Sequence, residues 1–194
     1  DIREDRHFFS TVHDFAAHAN ARKQLRLEYF YRELRTKTGI LMDQGKPIGG
    51  AWNFDSENRE SFGRDGLPSI PPPSRFKPDA ITRDVIQLVN TRFSDHPGSV
   101  SDQTSQASDF GWPVTRAQAL KVLDRFIAQR LPLFGRYQDA MWAGEPWLFH
   151  SHLSVVPDLI KKRTRAVIQA AEHAYHQGHV PIASAEGFIR QILG

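Results

Sequence analysis

The chain has 194 residues, and 25 Lys and Arg against 22 Asp and Glu leave a formal net charge of only +3 at pH 7, too small to indicate nucleic-acid binding by itself. It contains no cysteine, which excludes disulfides and thiolate metal sites within these residues. No 18-residue apolar run and no basic-then-apolar leader occur, so we expect neither a membrane span nor a signal peptide, and we predict a soluble protein.

Two helices are predicted at the start of the chain. Thr11 and Asp14 have the spacing of a capping box, and apolar residues follow them at helical spacing. A second helix around residues 27–34 should end near Gly39, because glycine tolerates the left-handed backbone found at a helix C-terminus. We therefore expect a helical unit in the first 40 residues or so.

Basic residues form two groups. The first is interleaved with acidic residues, which predicts a solvated helix face; it comprises Arg22, Lys23, Arg26, Arg32, Arg35 and Lys37. The second is denser, has no acidic residue within it and could contact phosphate; it comprises Lys161, Lys162, Arg163 and Arg165.

The middle of the chain is predicted to hold two irregular segments around one helix. Residues 45–75 are rich in Gly, Pro, Ser and Asn, which indicates a linker crossing a surface. An apolar stripe from Ile81 to Phe93 predicts a helix that ends by Pro97. Residues 94–111 are too polar to pack and are predicted to form a loop.

The second half predicts longer helices. Thr115 and Gln118 form another capping box, and the stripe that follows should be terminated by Pro132 or Gly135. A further amphipathic segment, residues 167–175, should stop before Gly178.

Ser184 is expected to cap a final helix, which looks unfinished where the chain stops at Gly194. Because the chain also starts at Asp1 without methionine, we expect an internal piece of a longer protein whose last helices expose apolar faces.

Some side chains suggest metal binding, catalysis or electron transfer but have simpler explanations. His150 and His152, together with His173, His176 and His179, could bind a metal, yet no zinc-type motif supports this, and we favour surface or phosphate-contacting histidines. Ser151 lacks the GxSxG turn of a hydrolase. Tryptophans could serve electron transfer or base stacking, but we expect core positions for them; they are Trp52, Trp112, Trp142 and Trp147.

Several sequence segments, which follow one another in a fixed order along the chain, carry a family resemblance. They are Phe30-Tyr31-Arg32-Glu33-Leu34-Arg35, Gly39-Ile40-Leu41-Met42, Gly49-Gly50-Ala51-Trp52-Asn53-Phe54-Asp55-Ser56-Glu57-Asn58-Arg59, Trp112-Pro113-Val114-Thr115-Arg116 and Phe134-Gly135-Arg136-Tyr137-Gln138-Asp139-Ala140-Met141. The series resembles the bacterial photolyase-related proteins, the iron-sulfur, prokaryotic (6-4) photolyase-like branch of the cryptochrome and photolyase family.

The resemblance implies a mainly α chain with three parts. Residues 1–60 would be the helical tail of an α/β antenna domain. Residues 61–111 would be a long interdomain linker with one helix near 80–93. Residues 112–194 would be the first helices of an all-α FAD-binding photolyase domain, truncated at its C-terminal side.

By the same resemblance, two elements would contact FAD. The first combines Tyr137 with the loop His150, Ser151, His152, Leu153 and Ser154, and the second contains Arg190 and Gln191, which would begin a helix forming the second flavin wall. One departure is Asp158, where the family usually has asparagine, so that Lys161 or Lys162 would have to offset an additional anion.

The implied function is light-dependent DNA repair, in which excited reduced FAD transfers an electron to a UV-induced pyrimidine dimer, the (6-4) photoproduct being the expected lesion. UV-damaged DNA would be the partner of a monomeric, cytoplasmic protein without membrane contact. The resemblance also implies an iron-sulfur cluster and a lumazine-type antenna, with ligands mostly outside these residues. Two alternatives stay open: a cryptochrome-like blue-light photoreceptor without repair, and a helical binding domain without a cofactor.

Overall fold

The computed structural model describes residues 9–20, 22–64, 66–96, 110–155 and 157–193, with side chains in the last range from residue 164 onward. The described part is mainly helical, as predicted. Its α-helices are α1 (Val12–Asn20), α2 (Leu27–Thr38), α3 (Ala80–Arg92), α4 (Arg116–Gln129), α5 (Leu131–Tyr137), α6 (Pro157–His176) and α7 (Ile182–Leu193). Two short antiparallel strands, β1 (Met42–Asp43) and β2 (Lys46–Pro47), form a hairpin after α2.

Local signals set several helix ends as expected. The Asp14 backbone N–H donates to Thr11 Oγ1 at 3.1 Å, and the Thr11 N–H donates back to Asp14 Oδ2 at 2.8 Å. Thr115 and Gln118 form the second capping box at the start of α4. Gly39 follows α2 with φ of 75°, in the left-handed region. These predictions are confirmed because each depends on residues within one turn.

The prediction that Pro132 or Gly135 ends the helix that follows Thr115 is wrong. The helix axis breaks earlier, at Arg130, and both residues lie inside α5. Proline is tolerated there because the first turn of a helix needs no intrahelical N–H donor. Gly135 is needed for packing, since a Cβ at this position would lie 2.7 Å from the Cα of Ser184 in α7.

Two predictions about the last helix are also wrong. Ser184 is not its cap, because α7 begins at Ile182 and the Ser184 side chain is buried. Its Oγ accepts from the Gly135 N–H at 3.1 Å and donates to the Pro132 carbonyl at 3.2 Å, so it joins α7 to α5. Arg190 and Gln191 lie in the last turn of α7 and do not begin a helix.

One hydrophobic core joins the two halves of the described chain. Side chains of α2 and of the segment after it pack with those of α4, α6 and α7. Phe188, Ile189 and Leu193 are buried, so the expectation that the last helix exposes its apolar face is wrong. Residues on both sides of position 60 belong to this core, and the domain boundary at residue 60 stays a prediction.

The segment between β2 and α3 is only partly a surface linker. Phe54 and Asn58 are buried, Asn58 completely, which corrects the prediction that residues 45–75 merely cross a surface. The predicted helix is confirmed as α3, but it contributes no buried residue, and Ile81 is 74% exposed. Most of the predicted polar loop at 94–111 lies outside the described residues, and so do the side chains of Asp158, Lys161, Lys162 and Arg163.

Candidate functional site

A buried arginine organises the loop of residues 146–154. Arg130, at the junction of α4 and α5, donates from Nη1 to the carbonyls of Leu148 and His150, both at 3.0 Å. Its Nη2 donates to the carbonyl of Pro71 at 2.5 Å. The planar guanidinium therefore fastens the loop and the proline-rich segment to the end of α4.

The loop backbone needs this support. Leu148 and His152 have φ of 39° and 55°, values that are uncommon for residues with a Cβ. Leu153 is buried in the core, and its N–H donates to Ser151 Oγ at 3.4 Å. The surrounding contacts thus hold a loop whose local conformation is unfavourable by itself.

His152 is neutral at pH 7. Its Nε2 atom lies 3.2 Å from Arg130 Nη1. Burial, reinforced by the positive charge of Arg130, lowers the pKa of His152 to about 4, although a hydrogen bond to the Trp147 backbone acts in the opposite direction. The neutral ring can therefore accept a hydrogen bond from the guanidinium.

Arg130 is a buried cation without a carboxylate beside it in the described part of the chain. Burial lowers its pKa, and no acidic group opposes this change. Its hydrogen-bond acceptors are neutral carbonyls and an imidazole. This arrangement leaves a net positive potential behind the loop, which favours an anion nearby.

Two indoles pack beside His152: Trp147 belongs to the loop itself, and Trp112 comes from the segment before α4. The ring centroids of Trp112 and Trp147 are 5.8 Å apart at 68°, and that of Trp147 lies 4.9 Å from the His152 ring. All four tryptophans of the chain are partly exposed and Trp142 is 44% exposed, so the prediction of core positions is wrong. The indoles instead form part of the surface around the loop.

Tyr137 lies in a stack of aromatic rings on another side of the same loop. Its ring centroid is 4.7 Å from that of Phe62 and 5.6 Å from that of Phe149, with interplanar angles of 22° and 23°. The next residue, Gln138, accepts from the Gln191 side-chain amide at 3.2 Å. Tyr137 and Gln191 thus lie near one face of the α5 and α7 pair.

Arg190 belongs to a buried network around Glu186. Tyr31 donates its hydroxyl to Glu186 Oε1 at 2.9 Å, and the Phe54 N–H donates to Oε2 at 3.2 Å. Arg190 lies 3.4 Å from Glu186 and also pairs with Asp55. Burial raises the pKa of Glu186, while Arg190 works against this change.

The first basic group is not uniformly solvated. Arg35 is completely buried and donates to the carbonyls of Ile40, Trp52 and Leu41 at 3.2, 2.8 and 2.5 Å. The prediction of a solvated face is therefore wrong at this position. The alternation of acidic and basic residues could not reveal it, because an arginine whose hydrogen bonds go to main-chain carbonyls leaves no acidic partner in the sequence pattern.

The structure thus divides the predicted flavin residues between two places. In the loop of residues 150–154, His150 and His152 contact Arg130, whereas Arg190 and Gln191 contact Glu186, Asp55 and Gln138. Sequence reasoning missed Arg130, whose only available signal was a lone basic residue at the end of an amphipathic stripe.

None of the described helices combines the length and the apolar character that a membrane span requires. Among the described residues, no three His, Asp or Glu side chains lie close enough together to hold a metal ion.

Comparison with known proteins identifies the family. The chain is 45% identical to a (6-4) photolyase from Agrobacterium fabrum (strain C58 / ATCC 33970) over all 194 of its residues, and it spans 36% of the length of that relative. A family profile described as deoxyribodipyrimidine photo-lyase-related protein matches residues 1–104. The family expected from the sequence segments is therefore confirmed, and the chain belongs to the deoxyribodipyrimidine photolyase-related proteins.

Proposed function

We propose that this chain supplies part of the flavin-binding region of a light-dependent DNA repair enzyme that acts on the (6-4) photoproduct. The observation that carries this proposal is the 45% identity, along the whole chain, to a protein named (6-4) photolyase. The polar side chains of residues 150–154 support the proposal, because they suit the binding of a flavin diphosphate.

The loop has suitable groups for the diphosphate of FAD. His150 and Ser154 are exposed and Ser151 is partly exposed, so an imidazole and two hydroxyls are accessible on one short segment. Helix α6 begins directly after the loop, at Pro157, and the N-terminus of a helix favours anions. Arg130 behind the loop adds positive charge.

The other predicted residues have different roles. Arg190 is occupied by Asp55 and Glu186, so we assign it a positioning role for α7. Gln191 is exposed, and Tyr137 presents an aromatic ring and a hydroxyl near the same helix pair. When bound, reduced FAD would supply the photoexcited electron for the lesion.

The cavity behind Ser151 and His152 is not the flavin site. Its volume of about 20 Å³ has room for roughly one water molecule. FAD would therefore lie on the outer face of the loop, where His150 and Ser154 are accessible. Because the chain has no cysteine, an iron-sulfur cluster of the complete protein would take its thiolates from other residues.

The test uses the complete protein that carries this chain, purified in the dark. We expect flavin absorption bands and, on illumination, loss of a (6-4) photoproduct from an oligonucleotide. The double variant Ser151→Ala/Ser154→Ala should lower the ratio of flavin to protein, whereas Ser69→Ala, at an exposed serine away from the loop, should not. A flavin without repair would indicate the photoreceptor alternative, and a protein without flavin would contradict the proposal.

A further inference from the structure

A second cavity lies on the outer side of the two indoles. It has a volume of about 310 Å³ and is lined by Pro73, Ser74, Arg75, Gly111, Trp112 and Trp147. None of these residues is among those proposed to contact flavin. The volume is at the small end of the range for ligand pockets, which suits a single small molecule and not a dinucleotide.

The walls of this cavity are aromatic. Trp112 and Trp147 stand at 68° to each other, and both are only partly buried. The ring of His152 packs against Trp147 and also lies near Trp112, with centroids 4.9 and 6.4 Å apart. A planar heteroaromatic ring could therefore stack on one indole and meet the edge of the other.

Arginines lie at the edge of this cavity and in the small cavity that adjoins it. Arg75 and Arg125 are exposed, and Arg125 Nη1 donates to Ser74 Oγ at 3.4 Å, which directs that guanidinium toward the cavity edge. The buried Arg130 lines the adjoining small cavity, which shares Ser74 and Trp112 with the larger one. None of the described residues lining either cavity is Asp or Glu.

The position of Arg75 is fixed by its neighbours. Its side chain runs over Gly111, where an added Cβ would lie 3.0 Å from Arg75 Nε. The Phe76 N–H donates to the Gly111 carbonyl at 2.9 Å, which holds the two segments side by side. The indoles and the arginines thus occupy a prearranged surface, which lowers the ordering cost of binding.

We propose that this cavity binds a nucleotide, with its base on Trp112 and Trp147 and its phosphate at Arg125. Aromatic walls with a cationic rim are the combination that recognises a base carrying a phosphate. The nucleotide could be free or part of a single DNA strand, since both present the same chemistry. This inference does not depend on flavin binding by the loop.

The experiment measures equilibrium binding to the complete protein in the dark. The probes are AMP, ribose 5-phosphate as a base-free control, and a fluorescein-labelled single-stranded oligothymidylate of about ten nucleotides. Variants are Trp147→Leu, Trp112→Leu and Arg125→Gln, with Trp142→Leu as the matched control at an exposed tryptophan outside this cavity. The flavin-to-protein absorbance ratio is recorded for each variant.

We expect Trp147→Leu and Trp112→Leu each to weaken binding about tenfold, because one stacking surface is lost. Arg125→Gln should weaken binding and reduce its salt dependence, and Trp142→Leu should change neither quantity. Binding of AMP would identify a free nucleotide as the ligand. Binding of the oligonucleotide without binding of AMP would identify a single DNA strand as the ligand.

Three results would overturn the proposal. They are no binding of either nucleotide probe, binding of ribose 5-phosphate as tight as that of AMP, and loss of flavin from Trp147→Leu, which would make the cavity part of the flavin site. Failure of the flavin proposal would instead give a purified protein that contains no flavin and still binds the nucleotide probes.

Discussion

Arg130 Nη1 and His152 Nε2 lie 3.2 Å apart, so a buried guanidinium and a neutral imidazole share a hydrogen bond at the centre of the candidate site. The contact requires that His152 stay unprotonated, because an imidazolium has no acceptor atom and would repel the arginine. The loop that carries the proposed flavin contacts is therefore linked to a titratable group.

The first prediction is a loss of stability at acidic pH. The pKa of His152 is lowered in the folded protein to about 4, from an ordinary value of 6.5, so unfolding takes up a proton between these values. The contribution of His152 to the free energy of unfolding should be complete above pH 6.5 and should be lost as the pH falls through 4. Urea titrations from pH 7.5 to 4 on the wild type and on His152→Gln should show a smaller pH dependence in the variant. The exposed His150→Gln serves as the control, and an unchanged slope in His152→Gln would contradict the prediction.

The second prediction concerns Arg130→Gln. Glutamine cannot reach the carbonyls of Pro71, Leu148 and His150 together, so buried acceptors lose their donor. We expect the free energy of unfolding to fall by about 2–4 kcal/mol, measured by chemical denaturation. Arg125→Gln, at an exposed position in the preceding helix α4, should change it by less than about 0.5 kcal/mol. Equal effects of the two changes would show that Arg130 does not hold the loop.

The third prediction concerns Glu186. Glu186→Ala leaves the Tyr31 hydroxyl, the Phe54 N–H and Arg190 without their shared partner, and should cost about 3–5 kcal/mol of stability. Glu186→Gln keeps a side-chain acceptor and removes a buried charge, so its cost should be clearly smaller. Thermal or urea unfolding of both variants measures the difference, with the exposed Glu57→Gln as control. If Glu186→Gln lowered the free energy of unfolding as much as Glu186→Ala, the negative charge of Glu186 would itself be required for stability.

The fourth prediction concerns the contact of α5 with α7. A Cβ at Gly135 would lie 2.7 Å from Asn58 Oδ1 and from the Ser184 main chain, so Gly135→Ala should force the helices apart and cost about 1–3 kcal/mol or more. Gly187→Ala meets mainly the Asn58 side chain, at 2.8 Å. Combining it with Asn58→Ala should therefore cost less than the two single changes added together, which a double-mutant cycle by urea denaturation would measure. Gly63→Ala, where an added Cβ meets nothing within 4 Å, is the matched control.

Local patterns predicted the helices but not their partners. The capping boxes and the glycine after α2 act within one turn, and α2, α3 and α4 accordingly have the expected positions. Ser184 has the same chemistry as a cap, yet it lies within α7 because its hydroxyl serves the Gly135 N–H of another helix. Such a contact between residues 49 positions apart is not visible in a local pattern.

The candidate site was predictable only in part. The ordered sequence segments between residues 30 and 141 indicated the right family, and the resemblance then pointed to the loop of residues 150–154. Arg130 and Arg35 were not recognised, because each binds main-chain carbonyls, which every residue has. The surface position of Trp112 and Trp147 was missed as well. A tryptophan is expected to be buried from its residue type, and the sequence does not show which side of the ring faces solvent.

The Glu186 network has a consequence for how the chain folds during synthesis. Tyr31 and Glu186 are 155 residues apart, and Asn58 and Ala183 are 125 apart, so α2 and the segment around Asn58 are anchored by a helix that is synthesised much later. At ordinary translation rates this delay is on the order of ten seconds or more, during which Tyr31 lacks its buried acceptor. Nascent chains that end before α7 should therefore leave α2 open to proteolysis, and the emergence of α7 from the ribosome should close it.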